Sequence, residues 1–222
     1  ARTPHFDVVC PLLSLPHLLG PALPGTDALN IPQAIPYLKL DHSRSANWES
    51  NFQKAEMQGK LRVGLVWAGN PTHKNDANRS MDFSALSALW DLEGVHFYSF
   101  QVGARSADLD TLPPEQRAKV TDMAPLLKDF GDTAAALVHV DLLVCVDTSI
   151  CHVAGALGLP VWLLIPWMPD WRWLLHREDS PWYPSVRILR QPAYRDWASV
   201  LQSLTKDLHA LAQPQSAAGQ QR

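Results

Sequence analysis

Short, nearly continuous apolar runs alternate with segments of helical spacing from Leu61 almost to the end of the chain. Strands that are covered on both faces of a sheet lose the usual alternation of apolar and polar residues, so these runs predict buried parallel strands. The runs are LRVGLVWAG, VHFYSFQ, DLLVCV, PVWLLI and VRILR, and the helical segments between or after them include FSALSALWDL, DTAAALVHV and DTSICHVAGALG. This order predicts an α/β fold, a doubly wound and Rossmann-like parallel sheet.

Proline usage separates the start of the chain from these runs. Residues 1–47 hold seven of the 18 prolines and show no sustained periodicity, which favours an extended interdomain or domain-edge segment. Residues 48–212 form the predicted Rossmann-like domain, and the polar residues 213–222 are predicted to be a disordered tail. Because the chain begins with Ala1 instead of Met, we expect further sequence upstream.

Charge and cysteine content exclude several classes of function. The formal net charge is −3 and the 19 Lys and Arg are scattered, so we expect no nucleic-acid partner. No apolar segment approaches the roughly 20 residues that a membrane span requires. Three cysteines, Cys10, Cys145 and Cys151, lack metal-ligand spacing and fit the reduced thiols of a cytoplasmic protein. We therefore expect no metal ion, no cofactor and no membrane span.

A polar stretch, Asp147–His152, lies between two predicted strands. In doubly wound sheets ligands bind beyond the carboxyl ends of strands, where a helix start offers free N–H groups and the positive end of its dipole. We predict that Thr148, Ser149 and His152 bind a diphosphate there. Asp147 or Thr148 is expected to cap the helix, and Gly158 to end it. The alternative is that these residues are only caps and satisfied polar groups.

A second polar stretch, Trp67–Phe83, also follows a predicted strand. It is long for a βα connection, and an Arg just before a helix is well placed to fork onto phosphate oxygens. We therefore predict that Asn70, Arg79 and Ser80 contact the same diphosphate. An ordinary solvated loop is the alternative.

Aromatic residues crowd the segment after the strand PVWLLI. Aromatic faces can wall a pocket for a base or a sugar, and the candidate wall residues are Trp67, Trp167 and Trp171. Arg172 or Arg177 could add a contact to an anion, whereas the nearby acidic residues are explained by ion pairs with those arginines. The alternative is that the aromatic residues form a satellite core beneath an irregular loop.

Three stretches together resemble the carboxyl-terminal half of the heptosyltransferase-like proteins of glycosyltransferase family 9. They are VGLVWAGNPTHKNDANRS, DFGDTAAALVHVDLLVCVDTSICHVAGALGLPVW and PDWRWLLHREDSPWYPSVRILRQ. The most similar subgroup is the type found in bacterial tetratricopeptide-repeat glycosyltransferases. The resemblance implies the carboxyl-terminal half of a GT-B fold, in which this half holds the nucleotide-diphosphate-sugar donor.

Residue roles follow from this resemblance where the motifs match. Asp147, Thr148 and His152 stand at the family's Asp-Thr-x-x-x-His motif, which implies donor-diphosphate binding, with Asp147 toward the donor sugar or ribose. Arg79 and Ser80 stand at a phosphate-contacting loop where the family usually has Lys. The family's catalytic carboxylate belongs to the amino-terminal domain, so the base is expected outside this chain and the chain alone is expected to be inactive.

The resulting hypothesis is the nucleotide-sugar-binding half of an inverting, metal-independent GT-B glycosyltransferase, with the amino-terminal half as its partner. The alternative is a non-catalytic nucleotide-binding or scaffold module with a GT-B-like fold. A Rossmann oxidoreductase is disfavoured because no Gly-x-Gly-x-x-Gly follows the first strand.

Overall fold

A computed structural model describes residues 6–11, 14, 18, 34–53 and 58–213. The chain divides into two compact units, Ala1–Ala34 and Ile35–Arg222. Most of the first unit lies outside the described residues, as do residues 214–222, on which nearly all of the predicted disordered tail falls. The fold and the site described below belong to the second unit.

Six strands and six α-helices make up the described part of the second unit. The strands are β1 (Leu61–Val66), β2 (Val95–Ser99), β3 (Val120–Asp122), β4 (Leu142–Val146), β5 (Val161–Ile165) and β6 (Val186–Arg190). The α-helices are α1 (His42–Ala46), α2 (Asp76–Arg79), α3 (Pro114–Arg117), α4 (Phe130–Leu137), α5 (Ser149–Ala156) and α6 (Trp197–Ala212). Short 3-10 helices span Glu49–Asn51, Phe83–Leu89, Ala104–Thr111, Ala124–Leu126 and Trp171–Trp173.

All six strands form one parallel sheet in the order β3-β2-β1-β4-β5-β6. The chain runs outward from β1 to β3, returns to β4 on the other side of β1, and continues to β6. The predicted doubly wound, Rossmann-like sheet is confirmed. The direction of winding reverses between β1 and β4, and ligands of such sheets bind in the crevice outside the strands at this point.

Both faces of the sheet are buried, which explains why the strand sequences lack polar alternation. Phe97 and Val144 enter one apolar cluster, and their chain neighbours Tyr98 and Leu143 enter the other. Consecutive side chains of a strand point to opposite faces, so a strand between two cores must be apolar at every position.

Several elements differ from the sequence-based expectation. Helix α1 (His42–Ala46) lies in the segment 1–47 that was predicted to be extended, because Asp41 caps it by accepting from the N–H groups of Ser43 and Arg44. The edge strand β3 was not predicted, because only one of its three residues is apolar. The segment FSALSALWDL forms a 3-10 helix, Phe83–Leu89, instead of an α-helix. Its buried residues Phe83, Leu86 and Leu89 recur every three positions, and that spacing puts them on one side of a 3-10 helix.

Helix α5 ends where the sequence predicted. Gly158 follows α5 with φ +74°, a conformation that glycine adopts at low cost. Helix α6 buries Val200, Leu201, Leu204 and Leu208, whereas Leu211 is half exposed near its end. Within the described ranges, no helix combines the length and the apolar character needed to cross a membrane.

Candidate functional site

The start of α5 is open. Thr148 occupies the N-cap position with extended backbone, but its side chain makes no capping hydrogen bond. Its Oγ1 is buried and has no hydrogen-bond partner among the described residues. The backbone N–H groups of Ser149 and Ile150 likewise find no acceptor in the part of the chain that is described. Thr148 therefore occupies the predicted N-cap position, but neither Asp147 nor Thr148 forms the predicted side-chain capping bond. The first turn is left to face a ligand or solvent.

The loop after β1 folds around the carboxylate of Asp76. Asp76 Oδ1 accepts hydrogen bonds from Arg79 Nε at 3.2 Å and from Ser80 Oγ at 2.9 Å. Ser80 Oγ in turn accepts from the N–H of Gly69 at 2.8 Å. A β-carbon on Gly69 would lie 2.5 Å from Arg79 Nη2 and 2.6 Å from Asp76 Oδ1, so this packing requires glycine.

Arg79 joins this loop to the start of α5. Its Nη1 donates to the backbone carbonyl of Asp147 at 2.9 Å, and its side chain is only 14% exposed. The two polar stretches that the sequence singled out therefore meet at the carboxyl ends of β1 and β4. Nη2 makes no hydrogen bond to any described residue.

A cavity of about 160 Å³ lies at this junction. It is lined by His73, Asn75, Arg79, Asp147, Thr148, Ser149, His152, Asp170 and Arg172. Asp170 and Arg172 form an ion pair at 2.8 Å, as the sequence predicted for the acidic residues of this segment. The lining thus combines two guanidinium groups and two histidines with two carboxylates, and suits an anion that also carries hydroxyl groups.

Burial shifts the pKa values of two side chains that line this cavity of about 160 Å³, called the smaller cavity below. It raises the pKa of the Asp147 carboxyl above its ordinary value, with the Trp173 indole N–H and then His152 and Arg79 opposing the shift. It lowers the pKa of His152, with Asp147 opposing the shift. Perturbed titratable groups of this kind concentrate at functional sites.

A second, larger cavity of about 360 Å³ lies on the other side of the α5 start, at the switch point between β1 and β4. Thr148 and Ser149 line both cavities. The other residues that line the larger cavity come mainly from the ends of β1 and β2 and from the start of α4. They include Gly69, Asn70, Pro71, Phe100, Gln101, Val102, Arg105, Leu127, Phe130 and Thr133. Most of them are apolar or uncharged.

The predicted site residues fall into three groups. Arg79, Asp147, Thr148, Ser149 and His152 meet at the smaller cavity. Asn70 lines the larger one, where its Oδ1 accepts from the N–H and the hydroxyl of Thr72. Ser80 lines neither cavity, because its hydroxyl is engaged with Gly69 and Asp76.

The predicted aromatic wall is absent from both cavities. Trp67 is fully buried in the core, where its Nε1 donates to Asp108 at 2.8 Å. It follows β1 directly and keeps that strand's alternation, which turns its side chain into the sheet's apolar layer. Trp167 and Trp171 are 47% and 51% exposed and are not among the residues that line either cavity. Trp173 and Tyr183 instead belong to the apolar cluster on the opposite face of the sheet from Trp67.

Several residues of the site were not selected by sequence reasoning. Phe130 and Gln101 carry no motif and reach the larger cavity only through the fold. An Asp-x-Asp, Asp108–Asp110, was also overlooked, although its spacing is visible in the sequence. Asp108 Oδ2 accepts from Trp67 Nε1 and from Arg105 Nε. Among the described residues, no group of three or more His, Cys, Asp or Glu side chains is arranged to hold a metal ion.

Comparisons of this chain with known proteins agree on one family. Residues 32–164 match the model of glycosyltransferase family 9 (heptosyltransferase). FlbA of Caulobacter vibrioides is 30% identical over 172 residues, which cover 75% of this chain and 28% of FlbA.

Two solved structures share the fold. ADP-heptose lps heptosyltransferase II of E. coli aligns with a TM-score of 0.55 and 18% identity over 85% of this chain and 57% of that one. A family 9 glycosyl transferase of Veillonella parvula aligns with a TM-score of 0.52 and 15% identity over 79% and 53%. The chain thus spans about a quarter of FlbA and little more than half of each solved relative.

Proposed function

Because the chain belongs to glycosyltransferase family 9, we propose that it is the half of a GT-B glycosyltransferase that binds a nucleotide-diphosphate-sugar donor. The uncapped start of α5, with cationic Arg79 beside it, carries this proposal. The E. coli relative is named for an ADP-linked sugar, which supports a donor of this class.

The diphosphate would lie across the start of α5, where the two cavities meet. The N–H groups of Ser149 and Ile150 supply donors, and the helix dipole adds a favourable field for an anion. Arg79 is held by Asp76 and by the carbonyl of Asp147, so it is ordered before a ligand arrives. A preordered guanidinium loses little conformational entropy when it binds phosphate.

The nucleoside would occupy the larger cavity. Its volume of about 360 Å³ is within the range usual for small-molecule sites, and its walls are mostly apolar, as such sites usually are. Phe130 is 60% exposed at its edge and offers an aromatic face for stacking a base. The larger cavity therefore takes the uncharged end of the donor.

The sugar would lie at the smaller cavity, with Asp147 near its hydroxyls or those of the ribose. In the whole protein an acceptor oxygen attacks the anomeric carbon as the bond to the diphosphate oxygen breaks, which inverts the configuration. A carboxylate from outside this chain would take the acceptor's proton. Helix amides, Arg79 and His152 would stabilise the departing diphosphate, the role that a metal ion has in other transferases.

A substitution at Ser149 tests the position of the diphosphate. Ser149→Asp adds a negative charge to the first turn of α5, where a carboxylate stabilises the helix by about 0.3–1 kcal/mol. The same charge repels a diphosphate, so we expect ADP, UDP or GDP, whichever binds the parent best, to bind at least about tenfold more weakly. Ser149→Asn, a neutral variant of the same size, is the matched control and should keep most of the affinity.

Calorimetric titration and thermal unfolding together decide the outcome. Weakened binding by the aspartate variant, with unchanged or raised thermal stability, supports the site. Equal affinity in the aspartate and asparagine variants excludes the α5 start. Failure of the parent to bind any of the three nucleotides contradicts donor binding by this half. A scaffold module with the same pocket would bind equally well and differ only in lacking sugar transfer by the whole protein.

A further inference from the structure

His152 is held from one side by the aromatic segment that follows β5. Its Nδ1 lies 3.1 Å from the hydroxyl of Tyr183, and its ring stacks on Trp173 with centroids 5.4 Å apart and an interplanar angle of 17°. The other ring nitrogen, Nε2, has no hydrogen-bond partner among the described residues. Since His152 lines the smaller cavity, Nε2 is the nitrogen that a ligand can reach.

Tyr183 is itself fixed by its surroundings. Its side chain is buried, and its backbone N–H and that of Trp182 donate to the hydroxyl of Ser180. A β-carbon on Gly155 of α5 would lie 2.7 and 2.8 Å from the Cδ atoms of the Tyr183 ring. The ring therefore packs directly against the backbone of α5, one turn after His152.

The same segment also holds a cation of the smaller cavity. Trp182 Nε1 donates to the backbone carbonyl of Arg172 at 2.8 Å, and Arg172 lines that cavity. The segment Ser180–Tyr183 therefore sets the positions of two cavity residues without lining the cavity itself.

Two tyrosine hydroxyls and the imidazole form a short chain of hydrogen bonds. The hydroxyl of Tyr37 donates to that of Tyr183 over 3.4 Å. A hydroxyl has a single hydrogen, so if Tyr183 accepts from Tyr37 its own hydrogen is directed to Nδ1 of His152. A neutral histidine that accepts at Nδ1 carries its hydrogen on Nε2.

We propose that Tyr183 is a positioning residue: it fixes the orientation and tautomer of His152 so that Nε2–H faces the smaller cavity as a hydrogen-bond donor. This proposal rests on the proposed function, in which the group that receives the hydrogen bond is an oxygen of the donor diphosphate. The reverse arrangement would point a bare nitrogen lone pair into a cavity lined by Asp147 and Asp170, and would repel those carboxylates and the ligand alike.

Burial supports the neutral form of the ring. The pKa of His152 is lowered by burial and by Arg172, while Asp147 and Asp170 oppose that shift. A neutral imidazole needs a partner to select its tautomer, whereas a doubly protonated ring would donate from both nitrogens in any case.

The tautomer can be measured without any ligand, by the ¹⁵N chemical shifts of the His152 ring nitrogens. We expect the Nε2–H tautomer in the parent and a shift toward Nδ1–H in Tyr183→Phe, which keeps the ring and loses the hydroxyl. Tyr37→Phe should shift the tautomer less than Tyr183→Phe, because it removes the bond that directs the Tyr183 hydrogen but leaves the Tyr183 hydroxyl beside Nδ1. Tyr194→Phe, at an exposed tyrosine outside both cavities, is the remote control.

Binding of ADP, UDP and GDP gives the second readout. Tyr183→Phe should bind the preferred nucleotide about threefold to tenfold more weakly, the loss expected for one neutral hydrogen bond, while Tyr194→Phe binds like the parent. An Nδ1–H tautomer in the parent, or an unchanged tautomer in Tyr183→Phe, overturns the proposal whatever the affinities are. If no nucleotide binds the parent, the proposed function fails. The ¹⁵N chemical shifts of the His152 ring still decide whether Tyr183 positions His152.

Discussion

The two cavities share the start of α5 but are built from different chemistry. The smaller one gathers Arg79, Arg172 and His152 with two carboxylates, and most of these groups already have partners inside the protein. The larger one is mostly apolar, and Phe130 at its edge is largely exposed. The contrast indicates that charge recognition is preordered on one side of the helix, whereas the other side offers surface for an uncharged ring.

Each cavity also has an arginine in a similar setting. Arg79 pairs with the carboxylate three residues before it and donates to the carbonyl of Asp147. Arg105 pairs with Asp108, three residues after it, and donates to the carbonyl of Met81. The two arginines therefore form a matched pair for separating a ligand contact from a structural role.

The largest expected effect is the loss of affinity in Arg79→Ala. Removal of a charge-assisted hydrogen bond to phosphate should weaken binding of the preferred nucleoside diphosphate by about 1.5–3 kcal/mol, roughly tenfold to 150-fold. The corresponding nucleoside, which lacks phosphate, should lose much less. Calorimetric titration of both ligands below the unfolding temperature of the variant measures the difference.

Arg105→Ala is the control for that measurement. It also breaks an ion pair and a hydrogen bond to a carbonyl, so thermal unfolding should detect a loss of stability in both variants. Its effect on binding should be the same for the nucleoside and for its diphosphate. If Arg105→Ala, and not Arg79→Ala, weakened binding of the diphosphate more than of the nucleoside, the phosphates would lie in the larger cavity. The donor would then bind in the reverse of the proposed orientation.

A smaller effect is expected for Phe130→Ala. If a base stacks on this ring, its loss should weaken binding of nucleoside and diphosphate alike by about 1–2 kcal/mol. The ring is 60% exposed, so thermal stability should change little. Trp171→Ala, at a side chain 51% exposed and outside both cavities, should leave binding within about twofold. A larger loss of affinity in Trp171→Ala than in Phe130→Ala would support the aromatic wall that the sequence predicted.

The smallest effect concerns pH and involves the smaller cavity alone, since no histidine is found among the described residues that line the larger one. Burial lowers the pKa of His152 in the folded protein, so between that value and the ordinary pKa of about 6.5 the unfolded chain binds more protons. Stability should therefore fall as pH decreases through this window. The charged groups around the ring are Asp147, Asp170 and Arg172.

Urea unfolding at pH 7.5 and 5.5 measures this dependence. His152→Gln should lose less stability than the parent over that interval, while His42→Gln, at an exposed residue of α1, should follow the parent. Burial raises the pKa of Asp147, so its contribution falls as pH rises from about 3.8 and has the opposite sign. If His42→Gln changed the pH dependence of stability as much as His152→Gln does, burial of His152 in the cavity would not be the cause of that dependence.

The sequence predicted the sheet well because each central strand is buried on both faces and must be apolar at every position. Strand β3 was not predicted because it lies at the edge of the sheet, where burial is incomplete and only one of its three residues is apolar. At the site, Arg79 and the start of α5 were predicted to meet because the carboxyl ends of parallel strands share one edge. Trp67 was misplaced because an aromatic residue next to a polar loop gives no sign of the face to which its side chain turns.

The sequence by itself determined the α/β class, the parallel sheet and the edge at which polar residues gather, because these depend on local spacing and on the burial of short apolar runs. Only the tertiary structure decided which polar groups are already occupied and which remain open. Ser80 is engaged by Asp76 and Gly69, whereas the first turn of α5 has no cap. The contact of Tyr183 with His152 spans 31 residues of sequence. Such pairings depend on how separate loops approach across the sheet, and no local periodicity records that approach.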